Sequence, residues 1–329
     1  MRIVRRWYLL FFLCVFSFSS FCQDAEYSQF YANPLYLNPA FTGTTEYPRF
    51  SVNYRNQWPG LGNTFVNYSV SFDRYYKALN GGLGFQLSNN SEAEGRITSS
   101  SAFLFYSHHI KVNDHFFIDA AMQAGGTYKG FNKSGLVFPS EINELNGVII
   151  PDGSMNIEDA SKVYPDFGIG LLGQSGSCFF GFSIHHLTKP DESLIAGDQK
   201  GYLPRKITIN VGARTKKLRN GLLSKPYTLS PNIIYQQQGS FRQMNLGMYL
   251  NIGPLAGGLW YRNNLSIRPD AVIAMIGIMR EKFKIGYSYD LSLSSLSNYS
   301  FSSHELSLIY FLGERIKSNT RKAMIIPEF

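Results

Sequence analysis

The stretch Val66-Asn67-Tyr68-Ser69-Val70-Ser71-Phe72-Asp73 decides the fold. Apolar or aromatic residues alternate along it with small or polar ones. Because successive side chains of a β-strand point to opposite faces, the stretch predicts a strand with one apolar and one polar face. The same alternation recurs at Phe50, Val52 and Tyr54, at Ile207, Ile209 and Val211, and at Phe283, Ile285, Tyr287 and Tyr289. A soluble sandwich would turn the apolar face inward, whereas a membrane barrel would turn it outward.

The composition supports many strands and excludes several other classes of protein. Only 16% of the 329 residues are charged, against about 25% in a typical soluble domain, while 15% are aromatic and 30 are glycine. Intrinsic disorder requires few aromatic residues and high charge, so it is excluded. A coiled coil and a disulfide scaffold are also disfavoured.

Residues 1–22 have the pattern of a secretory signal peptide, with Arg2, Arg5 and Arg6 followed by an apolar run and small residues. We predict cleavage after Cys22. A lipoprotein signal with Cys22 acylated is the alternative, which the bulky Phe21 disfavours. Loss of three arginines lowers the formal charge from +8 to +5, and we therefore expect no nucleic-acid partner.

Beyond the signal, no apolar run approaches the roughly 20 residues of a spanning helix, since the longest covers only 271–279. Alternating segments of the length that a tilted membrane strand needs are instead frequent. They number about fourteen and lie near 50–57, 63–74, 81–90, 96–111, 115–129, 164–174, 177–187, 205–216, 226–237, 241–252, 255–262, 271–280, 282–291 and 303–312. The sequence thus predicts an all-β protein, a transmembrane antiparallel outer-membrane β-barrel at residues 50–313.

The lengths of the connections favour the barrel over a sandwich. If the first strand runs outward from the periplasm, short turns near 112–114, 175–176, 253–254 and 280–281 all face the periplasm, and the long connections 130–163, 188–204 and 292–302 all face outward. Short periplasmic turns with longer outer loops are typical of outer-membrane barrels. Two connections depart from this rule, a tight outer one at 238–240 and a longer inner one at 218–224.

The alternation directs several charged side chains into the barrel. Those in the lumen are Arg55, Asp73, Arg214, Arg262, Lys284, Asp290 and Glu305. We predict an ion network among Arg55, Arg214, Arg262, Asp290 and Glu305, because the first and last strands meet when a barrel closes. Fourteen strands enclose more space than side chains alone can fill, so the barrel is either a channel or plugged. The candidate plugs are 23–49, 130–163 and a C-terminal periplasmic tail at 314–329.

The N-terminal segment 23–49 lacks strand alternation. It contains Asn33-Pro34 and Asn38-Pro39, and a residue before proline prefers extended or turn backbone. Its candidate partner or plug contacts are Tyr31, Asn33, Pro34, Leu37, Asn38 and Pro39. The segment is either a rigid periplasmic lead-in packed on the first strands or an occupant of the barrel mouth that contacts a partner.

This segment also carries a resemblance to a known family. The start of the mature chain, through Tyr31-Ala32-Asn33-Pro34-Leu35-Tyr36-Leu37-Asn38-Pro39-Ala40-Phe41-Thr42-Gly43, resembles the opening of the PorP/SprF family of the Bacteroidetes. Further similar motifs follow in family order: Tyr54-Arg55-Asn56-Gln57-Trp58-Pro59, His185-His186-Leu187-Thr188-Lys189-Pro190, Gly286-Tyr287-Ser288-Tyr289-Asp290 and Ser303-His304-Glu305-Leu306-Ser307-Leu308. These motifs span nearly all of the mature chain.

The resemblance implies a barrel of the cell outer membrane, in contact with its lipid, that serves type IX protein secretion and gliding motility. It implies two kinds of partner, the periplasmic ring lipoprotein of that system and a secreted adhesin or surface protein. A passive channel or small-molecule transporter is the alternative function.

We expect no catalytic, cofactor or metal site. The serines stand in alternating strands and loops without an activating base, and the sequence has no phosphate-binding loop. Histidine pairs such as His108-His109 and His185-His186 are common in metal sites, but adjacent residues of a strand point to opposite faces and so cannot chelate one ion. Only Cys178 remains after cleavage.

Overall fold

The computed structural model describes residues 24–61, 65–133, 160–194, 200–218, 226–265, 268–293 and 302–314. The predicted signal peptide, most of the connection 130–163 and nearly all of the predicted tail 314–329 lie outside these residues. Among the described residues, no helix is long and apolar enough to cross a membrane.

The described residues form a closed antiparallel barrel of fourteen strands, in which each strand pairs with its neighbours in sequence and the first pairs with the last. The strands are β1 (Arg49–Gln57), β2 (Phe65–Tyr76), β3 (Gly81–Glu92), β4 (Ile97–Lys111), β5 (Phe116–Phe131), β6 (Ala160–Ser175), β7 (Cys178–His185), β8 (Lys206–Ala213), β9 (Tyr227–Gln238), β10 (Phe241–Ile252), β11 (Leu255–Asn264), β12 (Arg268–Met279), β13 (Phe283–Ser292) and β14 (Ser303–Phe311). The predicted fold class and number of strands are confirmed.

The alternation of side chains places apolar residues outside the barrel. Leu104, Val163 and Ile276 expose about 70% of their surface on the outer wall, while Thr208 and Asn210 on the inner wall are buried. An apolar outer surface with polar groups inside is the arrangement that lipid requires. The predicted direction of the alternation is therefore correct.

The two ends of the barrel differ in their connections. Residues 77–80, 112–115, 176–177, 253–254 and 280–282 join strands at one end, which we call the turn end. The connections 132–159, 186–205 and 293–302 join strands at the other end, which we call the loop end. The residues 214–226 are the one long connection at the turn end.

The residues 24–48, which we call the plug, lie inside the barrel. They contain one helical turn, α1 (Pro34–Leu37), followed by a 3-10 turn at Pro39–Phe41. Pro34 suits the first helical position because its missing N–H has no partner there. Asn38, which precedes Pro39, has extended backbone and ends the turn.

The apolar core of the protein lies between the plug and one side of the inner wall. Plug residues Phe30, Tyr31, Leu37, Ala40 and Phe41 share it with barrel residues Leu172, Phe179, Ile234, Tyr249, Ala256, Trp260, Ile273 and Met275. The inner wall is thus not uniformly polar, although the alternation predicts a polar face on the side of each strand opposite to lipid. The run 271–279 is apolar on both faces because one face meets lipid and the other belongs to this core.

Candidate functional site

Four of the five residues of the predicted ion network meet around Ser28 of the plug, towards the loop end. Arg55 Nη2 lies 2.8 Å and Arg262 Nη1 lies 3.1 Å from Asp290 Oδ2. Arg55 Nη1 lies 3.3 Å from Glu305 Oε2. All four side chains are buried, and two arginines offset two carboxylates, which is what burial of charge requires.

Ser28 links this network to the plug. Its hydroxyl donates to Asp290 Oδ2 at 2.6 Å and accepts from Arg55 and Arg262 at 2.7 and 2.8 Å. Its backbone N–H donates to Glu305 Oε2 at 2.6 Å. The network therefore fixes the plug to β1, β11, β13 and β14 at once.

Arg214 does not belong to the network, so this part of the prediction is wrong. Strand β8 ends at Ala213, so the alternation that directed Arg214 inward no longer holds there. Arg214 lies half-buried at the turn end, whereas the network lies towards the loop end. Lys284 of β13, which was predicted to face the lumen but not to join the network, places its ammonium over the ring of Phe311, 5.4 Å from the ring centroid.

The structure places the six predicted contact residues, Tyr31, Asn33, Pro34, Leu37, Asn38 and Pro39, inside the barrel, all buried. The Tyr31 hydroxyl donates to Asn232 on β9 at 3.2 Å. Gln86 on β3 donates to Asn33 Oδ1 at 2.8 Å. The interpretation as an external lead-in on the first strands is wrong, because these contacts reach strands across the barrel.

Asn38 is the most heavily bonded of these six residues. Its Nδ2 donates to the carbonyls of Leu171 and Phe182, at 3.1 and 3.3 Å, and its Oδ1 accepts from Ala40 N at 2.9 Å. Gly170 allows this approach, because a Cβ at that position would lie 2.1 Å from Asn38 Oδ1. The contacts leave no surface of Asn38 for a partner while the plug is in place.

A second ion pair holds the plug at the turn end. Arg49 Nε lies 2.8 Å from Asp73 Oδ1, and Arg49 also donates to the carbonyl of Phe41 at 3.0 Å. Asp73 Oδ2 accepts from Gly43 N at 2.6 Å. The sequence predicts that Asp73 faces the lumen, but it does not identify the partner of Asp73, which is Arg49, the first residue of β1.

The plug begins at the loop end, where Asp24 contacts Lys206 of β8, Gln238 of β9 and His186, which directly follows β7. Asp24 Oδ2 lies 2.9 Å from His186 Nε2 and 3.6 Å from Lys206 Nζ. Asp24 N donates to Gln238 Oε1 at 2.9 Å. The plug therefore runs the length of the lumen, from Asp24 at the loop end to Pro48 at the turn end.

His186 is held between two carboxylates, with its Nδ1 lying 2.7 Å from Asp166 Oδ2. Burial alone would lower the pKa of His186, but the charge of Asp24 and the bonds to Asp166 and Asp24 raise it to about 10. Burial would raise the pKa of Asp24, but His186 and Lys206 hold it well below its ordinary value. These shifts favour the charged form of both groups.

The expectation that adjacent histidines face opposite ways holds for one pair only. His108 is exposed, whereas His109 is buried beside Asp119. His185 and His186 are both buried, because β7 ends at His185 and His186 has a left-handed backbone with φ of 56°. The roles of Ser28, Asp24 and His186 were missed, since no local pattern in the sequence marks them.

Comparison with proteins of curated function gives no match. Among solved structures, the chain is similar to the outer membrane protein Omp33 of Acinetobacter baumannii, with 6% identity and a TM-score of 0.46 over 82% of this chain and 100% of that one. It is also similar to the CymD monoaromatic hydrocarbon channel, with 10% identity and a TM-score of 0.45 over 86% and 93% of the two chains. At such identities these similarities concern the fold alone.

A family comparison gives a more specific result. The family described as type IX secretion system membrane protein PorP/SprF matches residues 19–310, which is most of the chain. A membrane protein built as a closed barrel with an apolar outer wall resides in the outer membrane. The chain belongs to the PorP/SprF family of type IX secretion system membrane proteins.

Proposed function

We propose that this protein is a closed, non-enzymatic outer-membrane barrel that acts as an accessory or anchoring component of type IX protein secretion and gliding motility. Family membership supports the link to secretion. The plug supports the closed state, and this is the observation that carries the proposal. An accessory barrel works by holding other proteins, so it has no need of an open lumen.

The way in which the plug is fixed argues against a passive channel or small-molecule transporter. Buried ion groups hold it towards both ends, at Ser28 and at Gly43, and an apolar cluster packs its middle. Clearing the lumen would expose this cluster to water and break the hydrogen bonds of Ser28 and Gly43 to the ion groups of the wall. It would also separate Asp24 of the plug from His186 and Lys206. A channel would gain nothing from such contacts.

The two ends of the barrel suit the two proposed kinds of partner. Short turns face the periplasm in most outer-membrane barrels, so the turn end is available to the periplasmic ring lipoprotein. The loop end, with the longest connections, then faces the cell surface and the secreted adhesin or surface protein. The described chain stops after β14 at the turn end, and the sequence that follows contains the basic residues Arg315, Lys317, Arg321 and Lys322.

Co-purification from cells tests this proposal. We expect the full-length tagged protein to bring down both the ring lipoprotein and a secreted surface protein. Deletion of 316–329 is expected to reduce recovery of the ring lipoprotein alone, with barrel assembly checked by heat-modifiable migration on gels. Recovery of neither partner with the intact protein would contradict the proposal. Unchanged recovery of the ring lipoprotein after the deletion would show that residues 316–329 are not needed to bind it.

A further inference from the structure

A polar cavity opens at the loop end, between the plug and the inner wall of β3 to β6. It encloses about 820 Å³, including the part of its mouth that is open to solvent. Asp24, Ala25 and Tyr36 of the plug form one side. We call it the mouth cavity, and its position in the mouth of a barrel is usual for small-molecule sites.

The wall of the mouth cavity offers uncharged hydrogen-bonding groups that no protein contact uses. Ser88 and Asn90 of β3, Ser99 of β4 and Gln123 of β5 all line it. Within the described part of the chain, no hydrogen bond joins any of these four side chains to another residue. Gln123 is only 5% exposed, so its amide is a largely buried polar group without a hydrogen-bond partner among the described residues. Hydroxyl and amide groups both donate and accept, as a ligand rich in hydroxyls requires.

The charged groups of the mouth cavity largely neutralise one another. Lys129 Nζ lies 2.9 Å from Glu192 Oε2, and Lys206 lies 3.6 Å from Asp24. His186 bridges Asp24 and Asp166. Apart from Glu92, the described charged residues that line the cavity already have partners. The cavity therefore has no free cluster of one sign to select a strongly anionic or cationic ligand.

Flat apolar surfaces complete the wall. The half-buried ring of Phe103 and the buried ring of Tyr164 line the cavity beside the polar groups. An aromatic ring offers a large apolar area with a fixed orientation, which suits the apolar face of a sugar ring. An extended peptide would bind by adding a strand to an open sheet edge, and the closed barrel has none.

We propose that the mouth cavity binds an uncharged saccharide of one or two sugar rings, held by Asn90, Ser99 and Gln123 and stacked on Phe103. The plug forms part of this site through Tyr36, so the site exists only in the plugged barrel. This ligand-binding role is additional to the accessory function and does not depend on which protein partners the barrel holds.

Isothermal titration calorimetry on the full mature protein tests this site. The protein is purified in dimethyldodecylamine oxide, because detergents with sugar headgroups would compete. Maltose, cellobiose and N,N′-diacetylchitobiose are titrated separately. We expect at least one to bind with a dissociation constant below about 1 mM. Absence of binding by all three would overturn the proposal, while leaving the accessory function untouched.

Variants locate the binding. Gln123→Met keeps the volume of the side chain but removes its hydrogen bonds, so we expect binding to weaken roughly tenfold. Thr228→Val is the control, since Thr228 is a buried polar residue of the lumen near the turn end. Asn90→Leu removes another of the proposed hydrogen bonds and should also weaken binding. Equal affinities of the wild type, Gln123→Met and Asn90→Leu would place the binding elsewhere and overturn the proposal. Binding of a capped Ser-Gly-Asn-Thr peptide in place of the sugars would also overturn it, in favour of a polypeptide ligand.

Discussion

Arg55 exposes only 1% of its surface and pairs with both Asp290 and Glu305. Reversal of its charge in Arg55→Glu would place a third carboxylate beside these two, and breaking a buried ion pair costs about 3–5 kcal/mol. We therefore expect a marked loss of assembled barrel, measured by heat-modifiable migration on gels. Lys111→Glu, at the exposed Lys111–Asp114 pair, is the matched control and should change little. Equal assembly of the two variants would show that the network is dispensable.

His186 predicts a pH dependence at the loop end. Its pKa is raised to about 10, so its stabilising contribution is complete below its ordinary pKa of 6.5 and declines as the pH rises through 10. Asp24 adds a contribution that is lost as the pH falls below its ordinary pKa of 3.8. Asp24 and Asp166 contact His186 directly, His185 is its neighbour, and Lys206 lies 3.6 Å from the same oxygen of Asp24.

His186→Gln, which keeps a hydrogen-bonding side chain, isolates the contribution of His186. We expect the difference in unfolding temperature between wild type and variant to be largest near pH 6 and to shrink as the pH approaches 10. Circular dichroism melting across this range measures it. A difference that grows towards alkaline pH would contradict the proposed charge state of His186.

At the scale of elements, β6 lies close to the plug at Gly170. A Cβ there would lie 2.1 Å from Asn38 Oδ1, whereas a Cβ at Gly257 would come no nearer than 3.9 Å to Met275 O. Gly170→Ala is therefore expected to destabilise the protein by about 1–3 kcal/mol, and Gly257→Ala should be tolerated. Thermal unfolding of the two variants gives the comparison. Equal melting temperatures would mean that the plug does not contact β6 as described.

The strands were predictable because lipid imposes a strict two-residue period on them. The predicted 241–252 agrees with β10, and most other bounds differ by a few residues. The largest difference arises at β6, which begins four residues earlier than predicted. β8 ends three residues early and β12 begins three residues early. β6 and β8 lie beside long connections, where the alternation is weaker and no turn motif marks the end of the strand.

The candidate site was predictable only where it lies on strands. Alternation identified Arg55, Arg262, Asp290 and Glu305 as lumen residues, but Ser28 and His186 lie outside any regular period. One overlooked signal was available in 271–279, whose inward positions are as apolar as its outward ones. Apolar residues on both faces of a membrane strand indicate that something apolar fills the lumen beside it.

At the scale of the whole molecule, the turn end and the loop end must lie on opposite sides of the membrane. Lys200 is exposed at the loop end and Asp114 is 82% exposed at the turn end. In a Cys178→Ser background, Lys200→Cys is expected to react with a membrane-impermeant maleimide on intact cells. Asp114→Cys is expected to react only after the outer membrane is permeabilised. The reverse pattern would place the long connections in the periplasm.

The central claim is that residues 24–48 close the barrel, and conductance in planar lipid bilayers tests it most directly. The wild-type protein is predicted to give no large, steady current. Deletion of 24–44 removes most of the plug but keeps Arg49 and all fourteen strands, and it is predicted to open a pore, provided that heat-modifiable migration shows an assembled barrel. A large, steady conductance from the wild-type protein, equal to that of the deletion variant, would contradict the account.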